Sequence, residues 1–358
     1  MNKFTQWIKR HQVLAFFIIT FAISWGLGYT WILVVNKGMY ILAPLTMIAL
    51  VGPAMSGIII SAVSNTQPKQ GTKLSHWIAF LIAWVVSALV FLANNTFINH
   101  APFSPVMLIF TLISVVPVAV VVSMVRSRLP TVRNYIASLI RFRGVWGWCL
   151  LALVLFPTFV LLSMLISSFI GRQPFEVHQV PETGLMLIGL IGVKFFYQFF
   201  FFNATGEETG WRGFALPRLQ LLTSPLVACL VLNLFWGPWH IFPWWSEGRA
   251  VLSLAFWARS FLELFAGTVT LCWFYNRSNG SILVAGIAHA VANTTYWLFP
   301  NLDWTVYNWT VAVAALVMIL VDRMWKKLPS NHPAVYQESV GENDSRVTPL
   351  SLPVQESI

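Results

Sequence analysis

Two adjacent carboxylates, Glu207 and Glu208, follow a long apolar run and precede Arg212. If this segment is helical, Glu208 and Arg212 are neighbours on one face and can form an ion pair. Glu207 then faces elsewhere without an assigned cation, which makes it a candidate general base. The alternative is a charged cluster at the end of a membrane span, at the cytoplasmic interface.

Two histidines lie well inside apolar runs, and each has a polar or aromatic residue at helical spacing. Trp236 and His240 are four residues apart and share a helical face. Pro238, between them, should disturb that helix locally. His289 and Asn293 also share one face, with small residues between them. The alternatives are an interfacial aromatic cluster and hydrogen bonding between packed helices.

Together, Glu207, His240, His289 and Asn293 could supply a base and donors to a developing oxyanion, or Glu207 and the two histidines could bind zinc. No aspartate lies within a confident apolar run, and neither His-Glu-x-x-His nor Gly-x-Ser-x-Gly occurs. We expect no metal, because a glutamate bound to zinc is no longer free as a base. Glu208 would then have to leave Arg212 unpaired near the membrane, which is expensive.

The elements that must hold these residues are membrane spans. Only 9% of the 358 residues are charged and the mean hydropathy is +0.71, whereas soluble domains carry about 25% charged residues. We predict an all-α, polytopic transmembrane helix bundle of about eight to ten spans. Ten candidate spans lie near 13–35, 41–64, 76–98, 104–124, 146–170, 183–206, 226–244, 251–275, 281–299 and 304–322.

The basic residues predict the orientation of the bundle. A cytoplasmic N-terminus places most lysines and arginines, including Arg212 and Arg218, in cytoplasmic segments, and leaves three in outer loops. The net charge of +10 therefore reflects topology, and we expect no nucleic-acid partner. We divide the chain into N-terminal spans of unassigned role (1–180), a core with the final spans (181–327) and a disordered cytoplasmic tail (328–358).

Three strings resemble a known family: GEETGWRGFALPRLQ (206–220), FWGPWH (235–240) and GIAHAVANTTY (286–296). In that order they resemble the CAAX-protease and bacteriocin-processing (CPBP) family, also called the Abi family, over residues 185–300. The resemblance implies an intramembrane protease of metalloprotease or glutamate-dependent type. Its site residues would be Glu207, His240, His289 and Asn293, with Glu208 and Arg212 in support. One departure is that Trp236 stands where the family usually has phenylalanine.

The resemblance implies an integral, multi-pass protein of a bacterial cell membrane. Its substrate would be a membrane-embedded or lipidated peptide, whose peptide bond is attacked by water activated by Glu207. His240 would orient that water, and His289 and Asn293 would donate to the oxyanion. We expect Glu207 to lie within about 10 Å of a histidine. The predicted span lengths conflict with this expectation. Glu207 would lie near the cytoplasmic side, whereas His240 would lie roughly 20 Å along the seventh span.

Two other function classes remain open at this stage. One is a non-catalytic scaffold or immunity protein of the same family. The other is a transporter in which Lys194, Arg259 and Glu263 line a pathway. Because Arg259 and Glu263 have i,i+4 spacing, we predict that they pair within the bundle and have a structural role.

Overall fold

The computed structural model describes residues 3–177 and 182–336, and these residues form α-helices joined by short turns, with no strand among them. The helices, numbered α1 to α16 in chain order, are Lys3–Arg10, Gln12–Lys37, Ala43–Leu50, Gly52–Ser64, Lys73–Ala93, Pro105–Ser114, Val116–Ser123, Pro130–Ile136, Trp146–Phe169, Gly184–Gln198, Leu216–Leu222, Pro225–Trp239, Ile241–Ser246, Leu254–Arg277, Ile282–Leu298 and Trp304–Val321.

Every one of the ten predicted apolar segments is helical, which confirms the all-α polytopic class. Within the described ranges, seven helices are long and apolar enough to cross a membrane, or up to eight if α3 and α4 are one span bent by 52°. With the bent pair counted as one span the number is eight, the lower end of the expected eight to ten. The reason is that α12 and α15 have only 15 and 17 residues, fewer than the roughly 20 that a span needs.

The helix that carries the two glutamates is longer than predicted. It runs continuously from Gly184 to Leu222, 39 residues, because two π-helical stretches, Phe199–Glu208 and Trp211–Ala215, join α10 to α11. The predicted end of this span near residue 206 is therefore wrong. The helix continues through Glu207, Glu208 and Arg212 because the charges of the last two neutralise each other inside the bundle, as described below. We call this 39-residue helix the site helix.

Two glycines that flank the glutamates bring the bent span against the site helix. A Cβ atom built on Gly206 would lie 2.9 Å from the carbonyl oxygen of Leu50, and one on Gly210 would lie 2.7 Å from that of Pro53. Neither distance is compatible with a side chain. Small residues allow such close approach between helices in a membrane. The break between α3 and α4 therefore sits directly behind the glutamate pair.

Helix α15 packs antiparallel along the other side of the site helix. A Cβ atom on Gly286 would lie 2.9 Å from the Cα atom of Ala204, so the two backbones are also close here. Further along, Asn203 contacts Asn293, and Lys194 lies near Trp297. As residue numbers fall along the site helix they rise along α15, which gives an antiparallel register across the whole contact.

The segment after the last span corrects the predicted tail. Residues 328–336 are not a solvated extension, because the Gln220 amide donates to the Ala334 carbonyl at 2.9 Å and the Tyr336 amide to Pro217 at 3.0 Å. The guanidinium of Arg218 also lies 3.9 Å from the Tyr336 ring centroid. The rest of the predicted tail, 337–358, lies outside the described residues.

Arg212 and Arg218, which the sequence places in a cytoplasmic loop, lie instead on the site helix and are buried, 1% and 9% exposed. Both have partners that make burial tolerable. Arg212 is paired with Glu208, and Arg218 donates to the Gln12 side chain and the Phe214 carbonyl. Because both arginines are buried, neither gives information on which side of the membrane the loops lie. The cytoplasmic N-terminus stays a prediction that depends on the other lysines and arginines.

An ion pair outside the spans joins the end of α9 to the start of α16. Arg172 Nε lies 2.6 Å from Asp303 Oδ2, and Asp303 also caps α16 by accepting from the amides of Thr305 and Val306. The hydrogen bond from Arg172 holds the pKa of the Asp303 carboxyl below its ordinary value.

Candidate active site

Glu207 lies at the centre of the site, 4% exposed, and its carboxylate faces neutral hydrogen-bond donors and a histidine. Trp236 Nε1 donates to Oε2 at 2.6 Å, and Asn203 Nδ2 lies 3.5 Å from Oε1. His240 Nε2 lies 3.6 Å from Oε2. Among the contacts of the described residues, no lysine or arginine pairs directly with this carboxylate, as expected for a candidate base.

Glu208 has a different environment, although it is the adjacent residue. Its Oε1 accepts from Arg212 Nη1 at 2.9 Å, the pairing that the sequence predicts, and lies 2.8 Å from His289 Nδ1. Both charged side chains are buried, 1% exposed or less, and the Arg212 guanidinium also lies 4.6 Å from the centroid of the Trp236 ring. This burial rules out the alternative of a charged cluster at the end of a span.

The hydrogen bonds of the two histidines determine which ring nitrogen is left for chemistry. His240 Nδ1 lies 2.7 Å from the carbonyl oxygen of Trp236, which can only accept, so Nδ1 carries a hydrogen. By the same argument His289 Nδ1 donates to Glu208. The Nε2 atom of each ring therefore remains for other partners. His289 can donate from Nε2 only as an imidazolium, with hydrogens on both nitrogens.

Asn293 reaches the site through a residue that sequence reasoning missed. Its Nδ2 donates to Asn203 Oδ1 at 3.3 Å, and Asn203 in turn is the neighbour of Glu207 described above. The feature that could have pointed to Asn203 is its polar amide at the end of a run of phenylalanines, four residues before Glu207. Trp236 was noted for its spacing from His240 and as a departure from the family's usual phenylalanine, but nothing in the sequence indicated its bond to the carboxylate.

The sequence predicted that Glu207 and His240 would lie at different depths in the membrane, but the structure brings their side chains together. Helix α12 ends at Trp239, directly after Pro238, and His240 lies at the junction with α13. The site helix continues for 15 residues beyond Glu207, so Glu207 lies deep in the bundle rather than at a span end. Both adjustments bring the two side chains to the same level.

A cavity of about 1020 Å³ is lined by Glu207, Trp236, His240, His289 and Asn293. The four residues predicted to share a site do lie around one cavity. Their catalytic roles remain a prediction, and the arrangement supplies a carboxylate, two imidazole nitrogens and an amide on a common surface.

The same cavity is bordered by Arg259 and Glu263, which pair at 2.6 Å as predicted. Their side chains are 67% and 31% exposed, so they do not lie within the interior of the bundle. This differs from the expected position. The reason is that this part of α14 faces the cavity rather than another helix.

Glu207, His240 and His289, the candidate zinc ligands, are not arranged around a common point in the structure. Within the described ranges, no three His, Cys, Asp or Glu side chains are arranged to hold a metal ion. One oxygen of Glu207 accepts from Trp236, and its nearest approach to His240 is 3.6 Å, whereas zinc needs three ligands at about 2.0–2.2 Å. This arrangement therefore does not fit a zinc site.

A multi-pass bundle of hydrophobic helices, with a buried carboxylate and two histidines on one cavity, defines this chain as an integral membrane protein with an enzyme-like polar site. Comparison with known proteins specifies the class further. Residues 189–295 match the family model "Type II CAAX prenyl endopeptidase Rce1-like". These residues include all four predicted site residues, so the predicted resemblance to the CAAX-protease family is confirmed for this part of the chain.

A relative in Methanococcus maripaludis, described as "CAAX prenyl protease 2", is similar to this chain. The two are 28% identical over 187 residues, which are 48% of this chain and 64% of the relative. The chain thus spans somewhat less than two thirds of the relative that it matches.

Proposed function

We propose that this chain is an intramembrane endopeptidase that hydrolyses a peptide bond of a membrane-associated or prenylated peptide. The observation that carries the proposal is the contrast between two adjacent carboxylates. Glu208 is neutralised by Arg212, whereas Glu207 has only neutral donors and a histidine and faces the cavity. A carboxylate without a cation is free to take and return a proton.

The proposed reaction begins with a water molecule held between Glu207 Oε2 and His240 Nε2. Glu207 takes one proton from this water, and the resulting hydroxide oxygen forms a bond to the carbonyl carbon of the substrate. The negative charge moves to the carbonyl oxygen. Glu207 then returns the proton to the amide nitrogen, the carbon–nitrogen bond breaks, and the products are a carboxylic acid and an amine.

Two donors would stabilise the oxyanion. Asn293 uses one amide hydrogen on Asn203 and has a second available. His289, whose Nδ1 donates to Glu208, would donate from Nε2 as an imidazolium. Donors placed in advance at a site shielded from water contribute strongly, about 10²–10³-fold in rate for each one removed.

The substrate class is supported by the comparisons and by the setting of the site. The family model and the archaeal relative are both described as CAAX prenyl proteases. The cavity lies within a bundle of helices long and apolar enough to cross a membrane, a setting that suits a substrate anchored in lipid.

The test is hydrolysis of a fluorogenic farnesylated peptide by the purified full-length chain in lipid vesicles. We expect Glu207→Gln to lower the rate at least about 100-fold, as for loss of a general base. Glu263→Gln is the matched control, because it makes the same change on the same cavity, and it should retain the rate. If the wild-type chain hydrolyses no such peptide, the endopeptidase proposal is wrong. If Glu263→Gln abolishes hydrolysis and Glu207→Gln does not, the role proposed for Glu207 is wrong.

The metal-free form of the mechanism has its own test. We expect hydrolysis to persist after dialysis against a strong zinc chelator, because no step of the proposed reaction uses a metal. Stoichiometric zinc in the purified protein, lost together with hydrolysis on chelation and restored by added zinc, would show that this part of the proposal is wrong.

A further inference from the structure

A fully buried asparagine, Asn203, lies directly behind the candidate catalytic groups. It is 0% exposed and follows a run of four phenylalanines on the site helix. Glu207 and Asn293 line the cavity, whereas the described residues that line it do not include Asn203. A polar side chain in an apolar bundle is costly unless its donors and acceptors are paired. The partners of Asn203 therefore indicate why an amide is present here.

Asn203 contacts the candidate base and the candidate oxyanion donor at the same time. Its Nδ2 lies 3.5 Å from Glu207 Oε1, and its Oδ1 accepts from Asn293 Nδ2 at 3.3 Å. Because an amide has donor hydrogens on nitrogen and an acceptor oxygen, only one orientation of Asn203 satisfies both neighbours. The reverse orientation would turn its oxygen towards a carboxylate and its nitrogen towards another amide nitrogen. The side chain thus joins the site helix to α15.

The close packing of these two helices allows short side chains to meet. A Cβ atom built on Gly286 of α15 would lie 2.5 Å from the Cβ atom of Ala204, the residue next to Asn203. Only a small residue permits this approach. Asn203 and Glu207 are four residues apart within the π-helical stretch Phe199–Glu208, so they lie on one side of the site helix. The backbone therefore places a single amide within reach of both groups.

We propose that Asn203 is a positioning residue, which holds the Glu207 carboxylate and the Asn293 amide in a fixed relation to each other. Its hydrogen bond occupies Oε1 of Glu207 and leaves Oε2, which faces His240, for the water. Its oxygen holds one hydrogen of Asn293 and leaves the second for the oxyanion. This proposal rests on the proposed endopeptidase function and adds a residue that contacts neither water nor substrate.

The first test is Asn203→Leu, which keeps a similar size and removes both hydrogen bonds. Hydrolysis of the fluorogenic farnesylated peptide should fall about 100-fold in kcat with little change in KM, as for a misplaced base. Asn233→Leu is the matched control, because Asn233 is also buried and has two side-chain hydrogen bonds, to Phe261 and from Thr268. It should retain most of the wild-type kcat. Equal losses for the two variants would overturn the proposal, because they would show a structural role only.

Asn203→Asp tests the same hydrogen bonds through their dependence on pH. Two carboxyl groups 3.5 Å apart do not both ionise readily, so the pair formed with Glu207 retains one proton. While that proton remains, the new carboxyl can donate to Glu207 and accept from Asn293, as the amide does. We therefore expect the rate relative to wild type to be largely retained near about pH 5 and to fall at least about 10-fold by about pH 9.

A ratio of rates that is the same at all pH values would overturn the proposal, because a structural defect does not depend on this proton. The other titratable and charged groups around Glu207 are common to both chains, so the ratio cancels their titration. They are His240 at the junction of α12 and α13, His289 on α15, and Glu208 and Arg212 on the site helix.

A double-mutant cycle on stability needs no hydrolysis and so separates this proposal from the endopeptidase function. The decrease in Tm for Asn203→Leu combined with Asn293→Leu should be smaller than the sum of the two single decreases, because both remove one hydrogen bond. Asn203→Leu combined with Asn233→Leu should give the sum. The assay is loss of the detergent-solubilised full-length protein from its gel-filtration peak on heating.

Additive decreases for Asn203 and Asn293 would overturn the proposal. Coupled decreases in a wild-type chain that hydrolyses no peptide would support the link between the two amides and show that the endopeptidase function is what fails.

Discussion

The chain contains two Glu–Arg pairs with the same i,i+4 spacing, and burial should make their contributions to stability very different. Glu208 and Arg212 are 0% and 1% exposed, whereas Glu263 and Arg259 are 31% and 67% exposed. Their N–O distances are similar, 2.9 and 2.6 Å. The substitution Glu→Gln removes one charge from each pair with little change in shape.

The expected magnitudes differ by about an order of magnitude. Glu208→Gln leaves the Arg212 charge buried without its partner, which costs about 3–5 kcal/mol in comparable cases. Glu263→Gln leaves an arginine that water can solvate, and exposed i,i+4 pairs contribute only about 0.3–0.5 kcal/mol. For a chain of this size, a destabilisation of 1 kcal/mol lowers Tm by roughly 2 °C. We therefore expect decreases of about 6–10 °C and about 1 °C respectively.

The assay is the temperature at which half of the detergent-solubilised protein is lost from the monodisperse peak on gel filtration. Equal decreases for Glu208→Gln and Glu263→Gln would refute the reasoning that burial determines the contribution. A double variant provides a further check. Adding Arg212→Met to Glu208→Gln removes the unpaired charge, so the double variant should be more stable than Glu208→Gln alone.

Three further outcomes follow from particular contacts. Trp236→Phe removes the indole donor to the Glu207 carboxylate but keeps a ring, and should lower the hydrolysis rate about 10-fold. Trp239→Phe, whose indole nitrogen has no partner in the described structure, should stay within about two-fold of wild type. Gly210→Leu should prevent accumulation of folded protein, measured by gel filtration, because no side chain fits against the bent span. Gly192→Leu, on the same helix with no atom within 4 Å of an added Cβ, should cost much less. Asp303→Asn should lower Tm more at pH 7 than near pH 3. A carboxyl whose pKa is lowered in the folded state stabilises fully above its ordinary pKa of about 3.9 and progressively less as the pH falls towards the lowered value. An equal decrease at both pH values would contradict this.

The class, the helical segments and the four candidate site residues follow from local features of the sequence. A hydrophobic run of sufficient length is helical in a membrane because its backbone groups can only bond to one another. Charged and polar residues are rare in such runs, so Glu207, His240, His289 and Asn293 are conspicuous. Their order along the chain was sufficient to predict the family.

Other features depended on contacts between segments distant in the sequence. The site helix does not end at residue 206, because the charge of Glu208 is neutralised by Arg212 and shared with His289, which lies 81 residues away. A pattern of local hydropathy cannot register a partner on another helix. It therefore treats a charge as the end of a span.

The sequence by itself determined the membrane class, the family and the identity of the polar groups. The tertiary structure decided the environment of each group. Glu207 and Glu208 are adjacent and chemically identical, yet only one of them has a buried cation beside it. The i,i+4 spacing already predicted that Glu208 pairs with Arg212. Only the tertiary structure decided the other partners, which place Trp236 and His240 beside Glu207 and His289 beside Glu208. Such interactions act through space and fall off with distance rather than with separation along the chain.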